Sequence, residues 1–206
     1  VQSASAAAQS HRTYKLQKRA SKLLKTIIDY EFDRLKPTVT IQFIVAVILS
    51  EKKGNRFMIE LKEVTEEDFY EVIQLKVSDD QEKSRFVAPN VRSLAECWLY
   101  RKNEDVFPYA VYNGDEVVGF LLLDLDAEES EYMIWRMMVD AKYQGKGYGR
   151  QIVEAVMEMA RNDEDYDVLI ADYVDGNAVM KYVLESLGFE RTGFDEEYNE
   201  VLMKLD

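Results

Sequence analysis

Tyr132-Met133-Ile134-Trp135-Arg136-Met137-Met138-Val139 is followed closely by Gln144-Gly145-Lys146-Gly147-Tyr148-Gly149, and that stretch by Arg150 to Arg161. The first segment is an apolar run that reads as a strand. The third carries an apolar stripe at helical spacing and reads as an amphipathic helix. The glycine-rich turn between them is an anion site by construction: the first amides of a helix have no intrahelical partner, and the helix dipole favours negative charge there. Glycine lets the backbone come close to a phosphate and adopt positive φ. A strand, a glycine turn and a helix in this order predict a site for a phosphorylated cofactor.

Working outward, the rest of the chain alternates strands and helices. Ile59 to Val64 reads as a strand, and Thr65-Glu66-Glu67-Asp68 as a capping-box-like start of a helix through about Lys76. A polar linker, Ser78 to Asn90, leads to a second helix over about Val91 to Lys102. Pro108 to Tyr112, the turn Asn113-Gly114-Asp115 and Glu116 to Asp126 read as a hairpin. After the glycine loop and its helix come a buried strand (Asp167 to Tyr173), a helix (Asn177 to Leu187) stopped by Gly188, and a final strand pair, Phe189 to Phe194 with Val201 to Leu205. The fold class is α/β (α+β), and no internal repeat is evident.

Charge divides the chain in two. The formal net charge is -13, but residues 1–57 carry eleven Lys/Arg against four Asp/Glu, which leaves −20 for residues 58–206. An acidic body argues against nucleic acid as a partner. The basic arm has an Ala/Ser/Gln-rich start, a basic amphipathic pattern over 14–35 and an apolar run, Thr38 to Leu49, that is too short to span a membrane. The sequence opens on Val1, and Met58-Ile59-Glu60-Leu61-Lys62 begins the acidic body just after Glu51-Lys52-Lys53-Gly54. Those four residues have purine-rich codons, like a bacterial ribosome-binding site read in frame. The expectation is therefore that residues 1–57 are translated upstream sequence and that the working protein is 58–206; the alternative is a genuine accessory helix and strand. The one cysteine, Cys97, allows no internal disulfide and suits a reducing, cytoplasmic setting. The single histidine, His11, lies in the arm, so the body can build neither a Ser-His-Asp nor a Cys-His site nor a histidine metal centre. No metal is expected; any general base is a carboxylate, a tyrosine, a lysine or water.

Three elements in this order resemble the GNAT superfamily of acetyl-CoA-dependent N-acetyltransferases: Gln144-x-x-Gly147-x-Gly149, the preceding Arg136-Met137-Met138-Val139-Asp140, and Asn177 ahead of a helix ending Leu187-Gly188-Phe189. The resemblance covers residues 58–206 and implies one domain with a mixed, mostly antiparallel twisted sheet flanked by helices. Within Val77 to Glu96, the residues Gln81, Phe86-Val87-Ala88-Pro89-Asn90 and Ser93-Leu94-Ala95-Glu96 resemble the spermine/spermidine or diamine N-acetyltransferase branch.

The resemblance implies acetyl transfer from acetyl-CoA to a primary amine, a polyamine or diamine, by direct attack in a ternary complex. Gln144, Gly145, Lys146, Gly147, Tyr148, Gly149 and Arg150 would hold the coenzyme A pyrophosphate. Met138 and Val139 would pair with the pantetheine arm like an added strand, and a main-chain N–H there would meet the thioester oxygen as charge develops. Asn177 is either a cofactor contact or a helix N-cap. Relatives commonly place a tyrosine, as general acid, four residues before the closing glycine; that position is Leu184, and Tyr182 lies about 200° around the helix from it. The catalytic residues therefore stay open. Glu131 and Asp172 are candidates, with Asp124, Asp126 and Asp175 as further acids that could bind a cationic amine or take its proton. Arg136 either pairs with a surface carboxylate or orients such acids, and Cys97, Trp98 and Trp135 read as packing residues. Two other functions fit: a catalytically weak acyl-CoA-binding sensor, and a peptide or protein N-acetyltransferase. Dimers are common in relatives, so a homodimer is a further expectation.

Overall fold

Apolar residues fill both faces of the Glu116–Asp126 strand, which places it in the middle of the sheet. A computed structural model describes residues 59–103, 105–126, 129–163 and 167–206. The expectations for the basic arm and for Met58 as a start lie outside the described residues. In chain order the elements are β1 (Glu60–Glu63), α1 (Phe69–Gln74), α2 (Asp79–Lys83), α3 (Asn90–Tyr100), β2 (Val106–Asn113), β3 (Glu116–Asp126), β4 (Glu131–Val139), a 3-10 turn (Ala141–Tyr143), α4 (Tyr148–Arg161), β5 (Val168–Ile170), β6 (Tyr173–Val174), α5 (Ala178–Ser186), β7 (Glu190–Asp195) and β8 (Glu200–Leu205).

The sheet runs β1-β2-β3-β4-β5-β8-β6, with β7 on the other edge of β8. The β4–β5 pair is parallel and the other pairs are antiparallel. This is the mixed, mostly antiparallel sheet the sequence predicts. Leu121, Leu123 and Leu125 pack with Ile152, Val153 and Val156 of α4 and Leu184 of α5 on one face. Phe120 and Leu122 pack with Val72 of α1, and with Leu94 and Cys97 of α3, on the other. Gly119 sets the approach of β3 to β4, because a Cβ there would lie 2.5 Å from the Met138 carbonyl oxygen.

Four local readings are corrected. The polar linker contains α2, started by a full capping box in which Ser78 accepts from the Gln81 N–H and Gln81 accepts from the Ser78 N–H. Thr65–Asp68 forms a turn ahead of α1, with the Asp68 carboxylate accepting the Thr65 N–H at 2.7 Å. The strand read over Asp167 to Tyr173 is broken into β5 and β6, because the Asp172 carboxylate accepts the Met203 N–H at 2.9 Å where a continuous strand would offer a main-chain carbonyl. Trp98 is no packing residue: it is 65% exposed and carries the Arg101 guanidinium 4.0 Å above its ring.

Candidate functional site

The site begins where β4 and β5 part. Their pairing covers only Glu131–Met133 against Val168–Ile170. From Ile134 to Val139, β4 has β3 on one side and, among the described residues, no strand on the other. A β-bulge at Trp135 shifts the β3–β4 register between Leu122/Arg136 and Leu123/Ile134. The Asp140 N–H donates to the Val118 carbonyl at 2.9 Å, which fixes the parity beyond the bulge. Met138 exchanges its main-chain bonds with Phe120 of β3, while the main-chain groups of Met137 and Val139 face the open edge. The expectation set Met138 beside Val139 on that edge; alternation gives the edge to Met137 and Val139.

The glycine loop stands at the end of this edge. The Asp140 carboxylate accepts the Lys142 and Lys76 N–H groups, and the Ala141 N–H donates to the Lys76 carbonyl, so the loop is tied back to the chain after α1. The Gln144 amide donates to the Val139 carbonyl at 2.9 Å and to Gln81 Oε1 at 2.8 Å. Gly145 and Gly147 have φ of 76° and 84°, and Gly147 is the left-handed N-cap of α4 with no side-chain cap bond. The amides of Tyr148, Gly149 and Arg150 thus open α4 without intrahelical partners. A Cβ on Gly145 or Gly147 would meet no heavy atom within 4 Å. The glycines therefore line open space rather than answer to internal crowding, and a cradle of amides facing open space fits a pyrophosphate.

The other expected cofactor residues are placed as follows. Lys146 lies over the Tyr143 ring at 5.1 Å, and Tyr148 is buried beneath the loop. Arg150 reaches Glu154 at 3.0 Å and Ser186 Oγ at 2.7 Å, tying α4 to α5. Asn177 is an N-cap: its Oδ1 accepts the Met180 N–H at 3.2 Å, and the residue also lines the cavity described next.

A cavity of about 920 Å³ lies beside the open stretch of β4, between α3 on one side and the β6–β8 region on the other. Its lining includes Glu96, Asp105, Asp124, Asp172, Asp195 and Glu200, with Arg85, Arg92 and Arg136 as the positive groups. Arg136 is bound to Glu96 and to Ser93 of α3, and Arg92 to the other oxygen of Glu96. Burial alone would raise Glu96, but the bonds from Arg136 and Arg92 outweigh it and hold the carboxyl below its ordinary range. Arg136 therefore pairs with a carboxylate of the cavity wall.

Asp124, Asp105 and Asp172 behave in the opposite way. Burial, then Asp105 and Asp126, push Asp124 up to about 7. Burial also pushes Asp105 up to about 6, against the bond it has with Asn103. Asp172 rises to about 6, first by burial and then by Glu200, Asp195 and Glu131. Oδ1 of Asp105 and Oδ1 of Asp124 are buried without a hydrogen-bond partner. Of the expected candidates, Asp124 and Asp172 are brought to the cavity. Glu131 sits where β4 still pairs with β5, and burial raises it. Asp126 stands opposite Glu131 in the β3–β4 pair. Leu184 is 0% exposed in the core and Tyr182 is 72% exposed, so neither offers a proton to the cavity. Asp105 was missed by sequence reasoning, and Gln81, named there only among the residues of the resemblance, proves to be a partner of Gln144. Asp105 precedes a strand in a polar run, Asn103-Glu104-Asp105, and nothing in that pattern marks a buried acid.

This architecture is a known one. The chain belongs to the acetyltransferase (GNAT) family, whose sequence model matches residues 67–189. It is 26% identical over 110 residues to the spermine/spermidine N(1)-acetyltransferase of Bacillus subtilis, covering 48% of this chain and 66% of that protein. It is 26% identical over 119 residues to the human N-acetylaspartate synthetase (Homo sapiens), covering 52% of this chain and 39% of that protein. The chain thus spans less than two thirds of the length of these curated relatives. Among solved structures, the spermidine N-acetyltransferase from Vibrio cholerae in complex with CoA and spermine has the same fold, with a TM-score of 0.58 at 16% identity over 71% of this chain and 93% of that one. Among the described residues, no helix is long and apolar enough to cross a membrane.

Proposed function

We propose that this chain transfers an acetyl group from acetyl-CoA to a primary amine, and that the acceptor is a polyamine or diamine. The observation that carries this reading is the acid-lined cavity beside the open edge of β4, with two buried carboxylate oxygens left unpaired. Family membership supports the acetyl donor. The curated relative of Bacillus subtilis supports the acceptor by its name, while the human relative, an N-acetylaspartate synthetase, shows that family membership alone does not fix it.

The chain's own groups divide the work. The amides of Gly145 to Arg150 and the helix dipole of α4 would hold the cofactor's pyrophosphate. The open main-chain groups of Met137 and the Val139 N–H would align its extended arm as a neighbouring strand. Acetyl-CoA supplies the activated acetyl group when bound. The Met137 N–H, which faces the edge, would meet the acetyl oxygen as charge develops on it, and a fixed donor there acts without reorganisation. The acids of the cavity attract a cationic amine and lower its free energy near the edge. The amine must lose a proton before attack, and carboxyls titrating near neutrality, such as Asp172, can take one through water. With Leu184 buried, water protonates the departing thiolate, whose ordinary pKa of about 8.5 makes it a tolerable leaving group.

A thiol-release assay with acetyl-CoA and an amine panel tests the reading. Turnover of polyamines or diamines is expected. Tight coenzyme A binding with no turnover of any amine would favour a sensor, and turnover confined to peptides would favour a protein N-acetyltransferase.

A further inference from the structure

Asp105 and Asp124 form a pair that the acetyl-transfer chemistry does not use. Asp124 lies on β3 opposite Val106 and Met133, and Asp105 immediately precedes Val106, so both residues stand near the start of β2, close enough for the Asp105 charge to act on Asp124. Asp105 is 1% exposed, and both residues line the cavity. Each leaves Oδ1 buried without a partner. The charges acting on Asp124 are those of Asp105 and Asp126, both of its own sign. Of the cavity's arginines, Arg92 and Arg136 are taken by Glu96. Two acids whose orphaned Oδ1 atoms are buried are costly to keep, and a cationic donor entering from the cavity would satisfy them.

Distance separates this pair from the reacting centre. Leu121 is the β3 residue opposite Met137, whose N–H faces the open edge. Asp124 lies three residues farther along β3, or about 10 Å at the rise of a strand. That is beyond hydrogen-bond reach of a nitrogen under attack. Allowing about 2.8 Å for a charge-assisted contact leaves roughly 7–10 Å between the reacting nitrogen and one held by the pair. An extended five- to seven-carbon spacer covers that separation.

We propose that Asp105 and Asp124 form an ammonium subsite for the distal, non-reacting nitrogen of the acceptor, so that the protein selects diamines and polyamines over monoamines by a second cation at fixed distance. This rests on the reading of the chain as an amine acetyltransferase and adds the residues that measure the acceptor's length. The subsite is also proton-linked. An ammonium entering it draws a proton off the pair, because Asp124 titrates at about 7. Asp126, opposite Glu131 in the β3–β4 pair, acts on Asp124, and the other charged groups of the cavity lining are Asp172, Asp195 and Glu200 from the β6–β8 side and Glu82 and Glu96 with Arg85, Arg92 and Arg136 from the helical wall and β4.

The test compares pentylamine with cadaverine, using wild type, Asp124→Asn and Asp105→Asn in the thiol-release assay. Wild type is expected to favour cadaverine in kcat/KM. Each variant is expected to lose roughly tenfold to hundredfold of that preference, the value of a bond to a charged group. A second readout needs no turnover: calorimetric titration of cadaverine into the CoA-saturated protein at about pH 7, in buffers of different ionisation heat. Proton release is expected from wild type and should be lost in Asp124→Asn. Equal use of both amines by wild type, retention of the preference in the variants, or absence of cadaverine binding would overturn the subsite while leaving the transferase reading intact. Absence of turnover with every amine would overturn the transferase reading, and proton-linked binding of cadaverine would then sustain the subsite alone.

Discussion

Replacing Asp124 by asparagine should stabilise the protein, and by an amount that depends on pH. The carboxyl is pushed from an ordinary 3.8 to about 7 by burial first, then by Asp105 and Asp126. Below about pH 4 the group is protonated in both folded and unfolded chains and contributes nothing. As pH rises from there toward 7, the unfolded chain ionises it while the folded chain keeps it protonated, so stability falls across this window and levels off above it. At about 1.4 kcal/mol for each tenfold change in proton affinity, the loss reaches roughly 4 kcal/mol above pH 7 and roughly 2 kcal/mol at pH 5.5. Asparagine removes the charge, keeps the shape and offers an N–H donor to Asp105. Its advantage over wild type should therefore be about 2 kcal/mol larger at pH 8 than at pH 5.5, or about 4–8 °C in Tm for a domain of this size. Thermal melts of both proteins at the two pH values measure it. An advantage that does not grow with pH, or a variant less stable than wild type at pH 8, would refute the view of Asp124 as a buried, uncompensated acid.

Four further outcomes are expected. Gly147→Ala forces a side chain into left-handed backbone, costs about 1–2 kcal/mol by denaturant unfolding, and raises the KM for acetyl-CoA more than tenfold because its Cβ enters the open cradle. Gly119→Ala drives a Cβ into the Met138 carbonyl oxygen and should cost more than 3 kcal/mol; a fully stable variant would show that β3 and β4 are not held this closely. Leu184→Ala opens the core beneath α5 and should cost about 2–5 kcal/mol, while Tyr182→Phe should leave kcat unchanged, since that hydroxyl is exposed to solvent. Glu96→Gln withdraws the carboxylate charge from Arg136 and Arg92 together and should destabilise by about 1–3 kcal/mol, read in the same unfolding assay.

The sheet was legible because period carries it. The apolar run over Glu116–Asp126, the Asn113-Gly114-Asp115 turn and the glycine loop before α4 announce themselves in single segments, and their bounds agree with the structure to within a few residues. The misreadings occurred where a side chain replaces main-chain pairing. Asp172 intercepts the Met203 N–H and breaks a strand, and the Ser78–Gln81 box starts a short helix inside a polar run. The cavity was half legible. Asp124 and Asp172 were named as acids, but only the fold shows that Asp105 joins Asp124 in the cavity wall. The choice of Met137 over Met138 at the open edge depends on strand parity, which the bulge at Trp135 resets and no sequence pattern displays.

The central claim is that the β4 edge and the cavity beside it bring acetyl-CoA and a cationic amine together. Thiol release from acetyl-CoA by the purified chain, followed with cadaverine or spermidine as acceptor and with the product checked by mass, tests it most directly. Amine-dependent thiol release with one acetyl group gained by the amine is the expected result. A protein that binds coenzyme A but releases no thiol with any amine in the panel would contradict it.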